Sequence, residues 1–256
     1  MLQIEIKNGV ATVRMNRPDV HNAFDDALIA ELTAELHRLD QAQDVRVIVL
    51  AANGKSFSAG ADLNWMKRMA HYSEAENLRD AVALAGLMRT LHGLHKPTVA
   101  RVQGSAFGGG VGLVACCDIA IASTEALFSL SEVRLGMIPS VISPYVVAAI
   151  GERAAHRYFL TAERFSAEEA RRIGLVHEVV AADKLDETVG NMVEHLLKGG
   201  PHALAAAKKL IADVSRHALD DPLIEDTARR ITAIRVGAEG REGIAAFLEK
   251  RKPDWS

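Results

Sequence analysis

Val102-Gln103-Gly104-Ser105-Ala106-Phe107-Gly108-Gly109-Gly110-Val111-Gly112-Leu113 follows a short apolar run, 98–102, and leads through an Ala/Cys stretch to Asp118. It reads as strand, glycine loop and helix. Three consecutive glycines at such a junction let the backbone come close to a ligand, and the first N–H groups of the helix have no intrahelical partner. The positive end of the helix favours negative charge at that spot. A second glycine-bearing loop, Phe57-Ser58-Ala59-Gly60-Ala61-Asp62-Leu63, lies on the other side of a helical stretch. Downstream, Ser129-Leu130-Ser131-Glu132-Val133-Arg134-Leu135-Gly136 carries one carboxylate in Glu132. Two loops that can stabilise an anion and one acid that can move a proton make a candidate site.

Outward from that stretch, strands alternate with helices. Residues 3–6 and 10–15 alternate in polarity about Asn8-Gly9, a hairpin signal, and Asn16-Arg17-Pro18 ends the second strand. Leu28, Leu32, Leu36 and Leu39 fall at helical spacing within 24–39. Residues 46–51 form a short, almost wholly apolar strand, 74–94 a long helix ending before Lys96-Pro97, and 118–122 a further strand. Such alternation predicts an α/β fold with right-handed parallel crossovers and helices over the sheet. Beyond about Ala181 only helices are expected, over 183–197, 201–217, 222–236 and 239–250. An all-helical tail must pack on its own core or on a neighbour's.

The chain of 256 residues is 49% apolar and 25% charged, long enough for one large domain or a domain with an appendage. A net charge of -3 and the lack of a basic, aromatic-interleaved surface argue against nucleic acid. Cys116 and Cys117 are adjacent and read as core residues, so no disulfide framework is expected. The N-terminus lacks the pattern of a secretion signal, and no uncharged apolar stretch reaches the roughly 20 residues that span a bilayer. A cytoplasmic protein without a membrane partner is the expectation. His92, His95, His177 and His217 show no metal-ligand spacing.

The two glycine loops, Cys117-Asp118, the 128–136 segment with Pro139, Asn16-Arg17-Pro18 with Asn22-Ala23, and Phe247-Leu248-Glu249-Lys250-Arg251-Lys252 occur in one order along nearly the whole chain. Together they resemble the enoyl-CoA hydratase/isomerase (crotonase) superfamily. The resemblance implies a spiral core of ββα turns, here 1–196, and a C-terminal helical region, 197–256, that builds homotrimers, usually paired into hexamers. It implies an acyl-CoA thioester as substrate and neither metal nor redox cofactor, coenzyme A being part of the substrate. It places an oxyanion hole on the backbone N–H groups of Ala61 and Gly109, and the principal catalytic glutamate at Glu132. Acyl-CoA contacts would run along Ala61, Asp62, Leu63 and Asn64, with Lys250 reaching a phosphate across a subunit boundary. For Lys250 to Lys252 an exposed charged terminus is the competing reading. Asp62 is better suited to cap the following helix than to act as a base.

The chemistry follows without the name. Moving a proton next to a thioester carbonyl places negative charge on its oxygen. Two fixed N–H donors aimed at that oxygen are worth about 3 kcal/mol each, judged from the loss of one oxyanion donor. A carboxylate beside the α and β carbons shuttles the proton.

One position departs from the pattern. Typical two-base hydratases carry a second glutamate two residues after the glycine triplet, where this chain has Gly112. Either Glu132 acts alone in hydration, or the chain is a Δ3–Δ2 enoyl-CoA isomerase, which needs one proton carrier. A third reading is a non-catalytic acyl-CoA-binding or assembly subunit, against which the retained Glu132 argues. Residues 58–69, 107–113 and Ile142-Ser143-Pro144-Tyr145-Val146 look like bacterial methylglutaconyl-CoA hydratases and are similar to isohexenylglutaconyl-CoA hydratases. Such substrates carry a distal carboxylate, for which Lys67, Arg68 and His71 are candidates if they are not merely a solvated helix face. Ser140 or Ser143 could hold a water or serve as turn and cap residues, and Trp65 could wall the acyl pocket or simply pack.

Overall fold

The computed structural model describes residues 1–215 and 217–255. The chain begins with β1 (Leu2–Lys7) and β2 (Val10–Met15), antiparallel from Leu2↔Met15 to Lys7↔Val10. Asn8 and Gly9 both take positive φ, 51° and 79°, as a tight hairpin turn requires. Helix α1 (Asp26–Gln41) buries Leu28, Leu32, Leu36 and Leu39 completely. It starts two residues later than its apolar spacing suggests, because Asp25 caps it, Oδ1 accepting the N–H of Leu28 at 2.8 Å. Phe24 is thereby left extended and forms a parallel bridge with Ala61.

Three turns of a spiral follow, each made of a long strand, a short strand and helix. The first is β3 (Val47–Ala52), β4 (Ser56–Ser58), α2 (Leu63–Met69) and α3 (Glu74–Gly93). The second is β5 (Thr98–Val102), β6 (Ser105–Phe107) and α4 (Gly109–Cys116). The third is β7 (Ile119–Ser123), β8 (Leu127–Ser129), a 3-10 turn Glu132–Leu135 and α5 (Ser143–Thr161), which breaks at Gly151 with φ 74°. β9 (Phe165–Ser166), α6 (Ala167–Arg172) and β10 (Glu178–Val180) close the series. The long strands form a six-stranded sheet in the order β1-β2-β3-β5-β7-β10, parallel from β2 onward. The short ones form a second sheet, β4-β6-β8-β9. The expected ββα spiral is present. Its second sheet, of strands two or three residues long, has no periodicity to read in the sequence.

Alternation explains why β3 is apolar throughout. Ile48 and Leu50 face the main core, while Val47 and Val49 face a second cluster with Val99, Ile121 and the Leu185, Val189 and Val193 stripe of α7 (Leu185–Leu197). Each such side chain, fully buried, stabilises by about 1.5–3 kcal/mol. Beyond α7 the chain is helical, in α8 (Pro201–Val214), α9 (Asp221–Val236) and α10 (Ala238–Glu249). The expected 201–217 helix ends at Val214 in α8, and Arg216 within that expectation lies outside the described residues. Lys208 of α8 ties the tail to the core by an ion pair with Asp118 at 2.8 Å. Neither α8 nor α9 buries a residue within one chain, and Phe247 of α10 stays 82% exposed. Among the described residues no helix is long and apolar enough to cross a membrane.

Candidate active site

Residues 17–25 run beside residues 53–62, and Arg17, His21, Asn22 and Phe24 bond to them. Asn22 is fully buried with φ 53°, and its Nδ2 donates to the carbonyls of Asn53 and Ser56, both at 2.8 Å. Ser58 Oγ donates to Asn22 O at 2.9 Å and accepts from the N–H of Gly60 at 3.3 Å. The N–H of Ala59 donates to His21 O at 2.9 Å, that of Phe24 to Gly60 O at 2.7 Å, and that of Asp62 to Phe24 O at 2.7 Å. The bridge therefore uses the amides on both sides of Ala61 and keeps the Ala61 N–H outside the ladder. One guanidinium locks the arrangement. Arg17 Nη2 lies 3.0 Å from both Asp25 Oδ2 and Asp62 Oδ2, and Nη1 donates to Ala23 O at 2.6 Å. These two carboxylates cap α1 and α2, so a single cation neutralises the N-caps of two helices. Asp62 accepts the N–H groups of Asn64 and Trp65 at 2.8 and 3.3 Å. Burial raises its pKa, but those amides and Arg17 outweigh burial and hold it below the usual aspartate value.

The triple-glycine loop lies against this assembly. Gly108 has φ 49°, and its N–H donates to Ser129 O at 2.9 Å. A Cβ built on Gly60, itself at φ 87°, would stand 3.1 Å from Phe107 O and 3.9 Å from Gly108 Cα. On Gly110 it would meet Ser58 O at 2.8 Å, and on Gly109 the Phe24 ring at 2.7 Å. The loops bearing Ala61 and Gly109 are thus in van der Waals contact through glycine faces. Gly109 is the first residue of α4, where an N–H is unclaimed by the helix.

Glu132 completes the group. Its Oε1 lies 3.1 Å from the place of a Gly108 Cβ, while Oε2 is buried without a hydrogen-bond partner among the described residues. Burial pushes its pKa above the usual glutamate value, against a smaller pull from its own backbone amide. Ser131 makes no side-chain cap here, so Glu132 is not an ordinary helix-start acid. Glu132 thus lies against the loop that bears Gly109, and that loop lies against the one that bears Ala61.

The other expected residues divide. Asp62 is a buried cap; Leu63 and Asn64 are exposed at the start of α2. Lys250 ends α10 with φ 57° and an exposed side chain. Within one chain α10 packs on α9 and α8, and among the described residues no hydrogen bond or ion pair joins Lys250 to the loops. Arg68 is bound to Asp26, whereas Lys67 and His71 are exposed. Ser143 Oγ donates to Ser140 O at 2.7 Å, a turn at the start of α5. Trp65 is buried, its Nε1 donating to Asp80 Oδ2 at 2.9 Å. Asp118 orders the start of β5, accepting the N–H and hydroxyl of Thr98, both at 2.8 Å. Cys117 is buried and its thiol is pushed up to about 12, which suits packing and not attack. Among the described residues no three His, Cys, Asp or Glu side chains converge as a metal would require.

Gly112 is a packing contact. A Cβ there would stand 2.3 Å from Ile142 Cγ2 and 3.3 Å from Met88 Cε, and Ile142 is only 2% exposed. Hydrocarbon fills the place of a second carboxylate. Phe24, Arg17 and Asn22 carry much of the site's geometry; in the sequence, Arg17 and Asn22 are marked only by the Asn16-Arg17-Pro18 and Asn22-Ala23 motifs, and Phe24 reads as part of the 24–39 helix.

Known proteins are similar to this chain over nearly its whole length. The chain is 33% identical over 248 residues to the 2,3-dehydroadipyl-CoA hydratase of Escherichia coli, covering 96% of this chain and 94% of that protein. The crystal structure of an enoyl-CoA hydratase from Shewanella pealeana superposes with a TM-score of 0.97 at 46% identity, over 99% of this chain and 95% of that one. Pseudomonas aeruginosa AtuE superposes with a TM-score of 0.94 at 38% identity, over 99% and 98% of the two chains. Residues 5–256 match the enoyl-CoA hydratase/isomerase family. With this fold and these two loops, the chain belongs to that family, as an enzyme of the enoyl-CoA hydratase type acting on acyl-CoA.

Proposed function

We propose that the chain adds water reversibly to a branched 2-enoyl-CoA, with 3-methylglutaconyl-CoA the first candidate, using Glu132 as its single proton carrier. The observation that carries this reading is the Glu132 carboxylate set against Gly108 with one oxygen buried and unpaired. In the hydration direction the Glu132 carboxylate takes a proton from water as the water oxygen bonds to the β-carbon. The π electrons move to the thioester oxygen, where the N–H groups of Ala61 and Gly109 receive the charge. The enolate then collapses and takes the proton from Glu132 at the α-carbon, which restores the carboxylate. Water is consumed and no other group changes state, so no cofactor is required beyond the coenzyme A of the substrate.

Ala61 to Asn64 would carry the acyl-CoA along the start of α2. A distal carboxylate on the acyl group would find Lys67, since Arg68 is held by Asp26. The dicarboxylic substrate named for the Escherichia coli relative supports an acyl group of that kind. The uncovered helices of residues 197–255 support a homotrimer or homohexamer, in which Lys250 would reach a neighbour's coenzyme A.

A panel of 3-methylglutaconyl-, isohexenylglutaconyl- and crotonyl-CoA tests the assignment by mass spectrometry. Gain of one water with 3-methylglutaconyl-CoA preferred is expected, and Lys67→Ala should raise KM for it several-fold while leaving crotonyl-CoA unaffected. A shifted double bond at unchanged mass would make the enzyme an isomerase. Equal rates on all three would remove the branched substrate.

A further inference from the structure

One residue touches the settings of both proposed donors, by its main chain at one and by its ring at the other. The main chain of Phe24 grips the peptide on each side of Ala61, through Phe24 N–H to Gly60 O and Asp62 N–H to Phe24 O, both 2.7 Å. Its ring edge lies under the first residue of α4, with Cε2 and Cδ2 at 2.7 and 3.0 Å from the place of a Gly109 Cβ. Phe24 is 1% exposed. Next to it in the chain, Asp25 is paired with Arg17, which also holds Asp62 and the carbonyl of Ala23. No other residue described above bonds to the Ala61 strand and packs against Gly109 at once.

Resting on the oxyanion reading above, we propose that Phe24 is a positioning residue: the rigid spacer that sets the gap between the Ala61 and Gly109 amides. The ring has no proton to give and no charge, so its contribution is distance alone. A phenyl ring is flat and stiff, and a close-packed interior passes its displacement to whatever rests on it. Here that is the N-terminus of α4. Two donors must meet one oxygen, so a shift of either spoils the hole while leaving the rest of the coenzyme A contacts intact.

The test reads kcat, KM and two ligands in the full-length enzyme. Acetoacetyl-CoA, whose bound enolate absorbs in the near ultraviolet, reports the oxyanion hole, and free coenzyme A reports the remaining contacts. In Phe24→Leu, kcat should fall about tenfold or more with KM within about threefold, as expected for a donor misplaced by a fraction of an ångström. Acetoacetyl-CoA should lose its enolate band or bind about tenfold more weakly, and coenzyme A should bind as before. Gly109→Ala should be worse, since its Cβ and the ring cannot both fit. Phe24→Val combined with Gly109→Ala should then recover about tenfold over Gly109→Ala alone. The spacer is overturned if folded Phe24→Leu keeps kcat within twofold, if coenzyme A affinity falls in step with kcat, or if the double variant recovers nothing. Should Phe24→Leu fail to fold, the Gly109→Ala pair decides alone. A wild-type enzyme that neither turns over an enoyl-CoA nor binds acetoacetyl-CoA as enolate overturns the oxyanion reading itself, and the spacer with it.

Discussion

The donor side of the site and the acid side are built on opposite principles. Around Ala61 the amides of Ala59, Gly60 and Asp62 are all claimed, Asn22 makes three side-chain bonds, and one guanidinium binds two helix caps. Glu132 instead sits on a 3-10 turn that ends at exposed Leu135 and runs on to exposed Met137 and Ile138, with a buried oxygen that nothing among the described residues satisfies. A saturated network fixes position; an unsatisfied, desolvated acid is raised in energy and ready to exchange a proton. The donor half thus gives the site its geometry and the acid half its reactivity, and each half can be broken separately.

Breaking the acid side should cost most. Glu132→Gln keeps the shape and removes the proton carrier, so kcat should fall by two orders of magnitude or more. Coenzyme A affinity should hold. Because burial raises the pKa of Glu132 and hydration needs its carboxylate, kcat/KM should fall with acid, with an inflection above the ordinary glutamate range. A Gln variant within tenfold of wild type would shift the proton transfer to another group.

A second acid can be forced in at Gly112. Gly112→Glu must place its Cβ where it meets Ile142 Cγ2 at 2.3 Å. Overpacking of this kind costs about 1–3 kcal/mol, and burying the carboxylate adds to it. Tm should drop by about 5 °C or more. Pairing it with Ile142→Ala should return part of the loss. Equal Tm values for wild type and Gly112→Glu would mean that Ile142 yields freely, and that the absent glutamate has no packing cause.

The donor side is expected to bend before it breaks. Arg17→Ala leaves the Asp25 and Asp62 carboxylates facing one another with side chains 17% and 6% exposed. Losing that shared cation should destabilise by about 2 kcal/mol. Asn22 and the backbone bonds remain, so kcat should fall less than in Glu132→Gln. Arg17→Lys should restore stability only partly, because one ammonium cannot match the fork. Chemical denaturation beside kcat would show it; a fall in kcat as deep as that of Glu132→Gln would place Arg17 in the chemistry itself.

Long-period features were legible in the sequence and short-range geometry was not. The leucines of α1 and the alternation of β1 and β2 announce themselves over several turns or pairs. Strands β4, β6, β8 and β9 are too short for any period, yet they carry the loops to one place. The glycine loops and the lone acid Glu132 stand out as residues, and the resemblance assigns the roles of Ala61, Gly109 and Glu132. The desolvation of Glu132 and the plug at Gly112 need three-dimensional neighbours: Ile142 is 30 positions from Gly112, and Asp62 is 45 from Arg17. Phe24 reads in sequence as the first turn of α1 but lies ahead of it, because an apolar residue before a cap looks the same as one inside the helix until Ala61 is seen beside it.

The smallest effect expected is a gain of stability. For a carboxyl whose folded pKa is raised, the folded state prefers the protonated form. The stability this confers is complete below the unfolded glutamate value, about 4.3, and is lost as pH rises through the raised folded value. At neutral pH the wild type therefore holds a strained charge that Gln does not have. Glu132→Gln should melt above wild type at pH 7 by about 2 °C, and the difference should close below about pH 4, where both side chains are neutral. Calorimetry at the two pH values reads it directly. If the gap persisted in acid, its source would be the shape of Gln; if wild type melted higher at pH 7, the buried oxygen would be better satisfied than the structure has it, and the contrast between the two halves of the site would go.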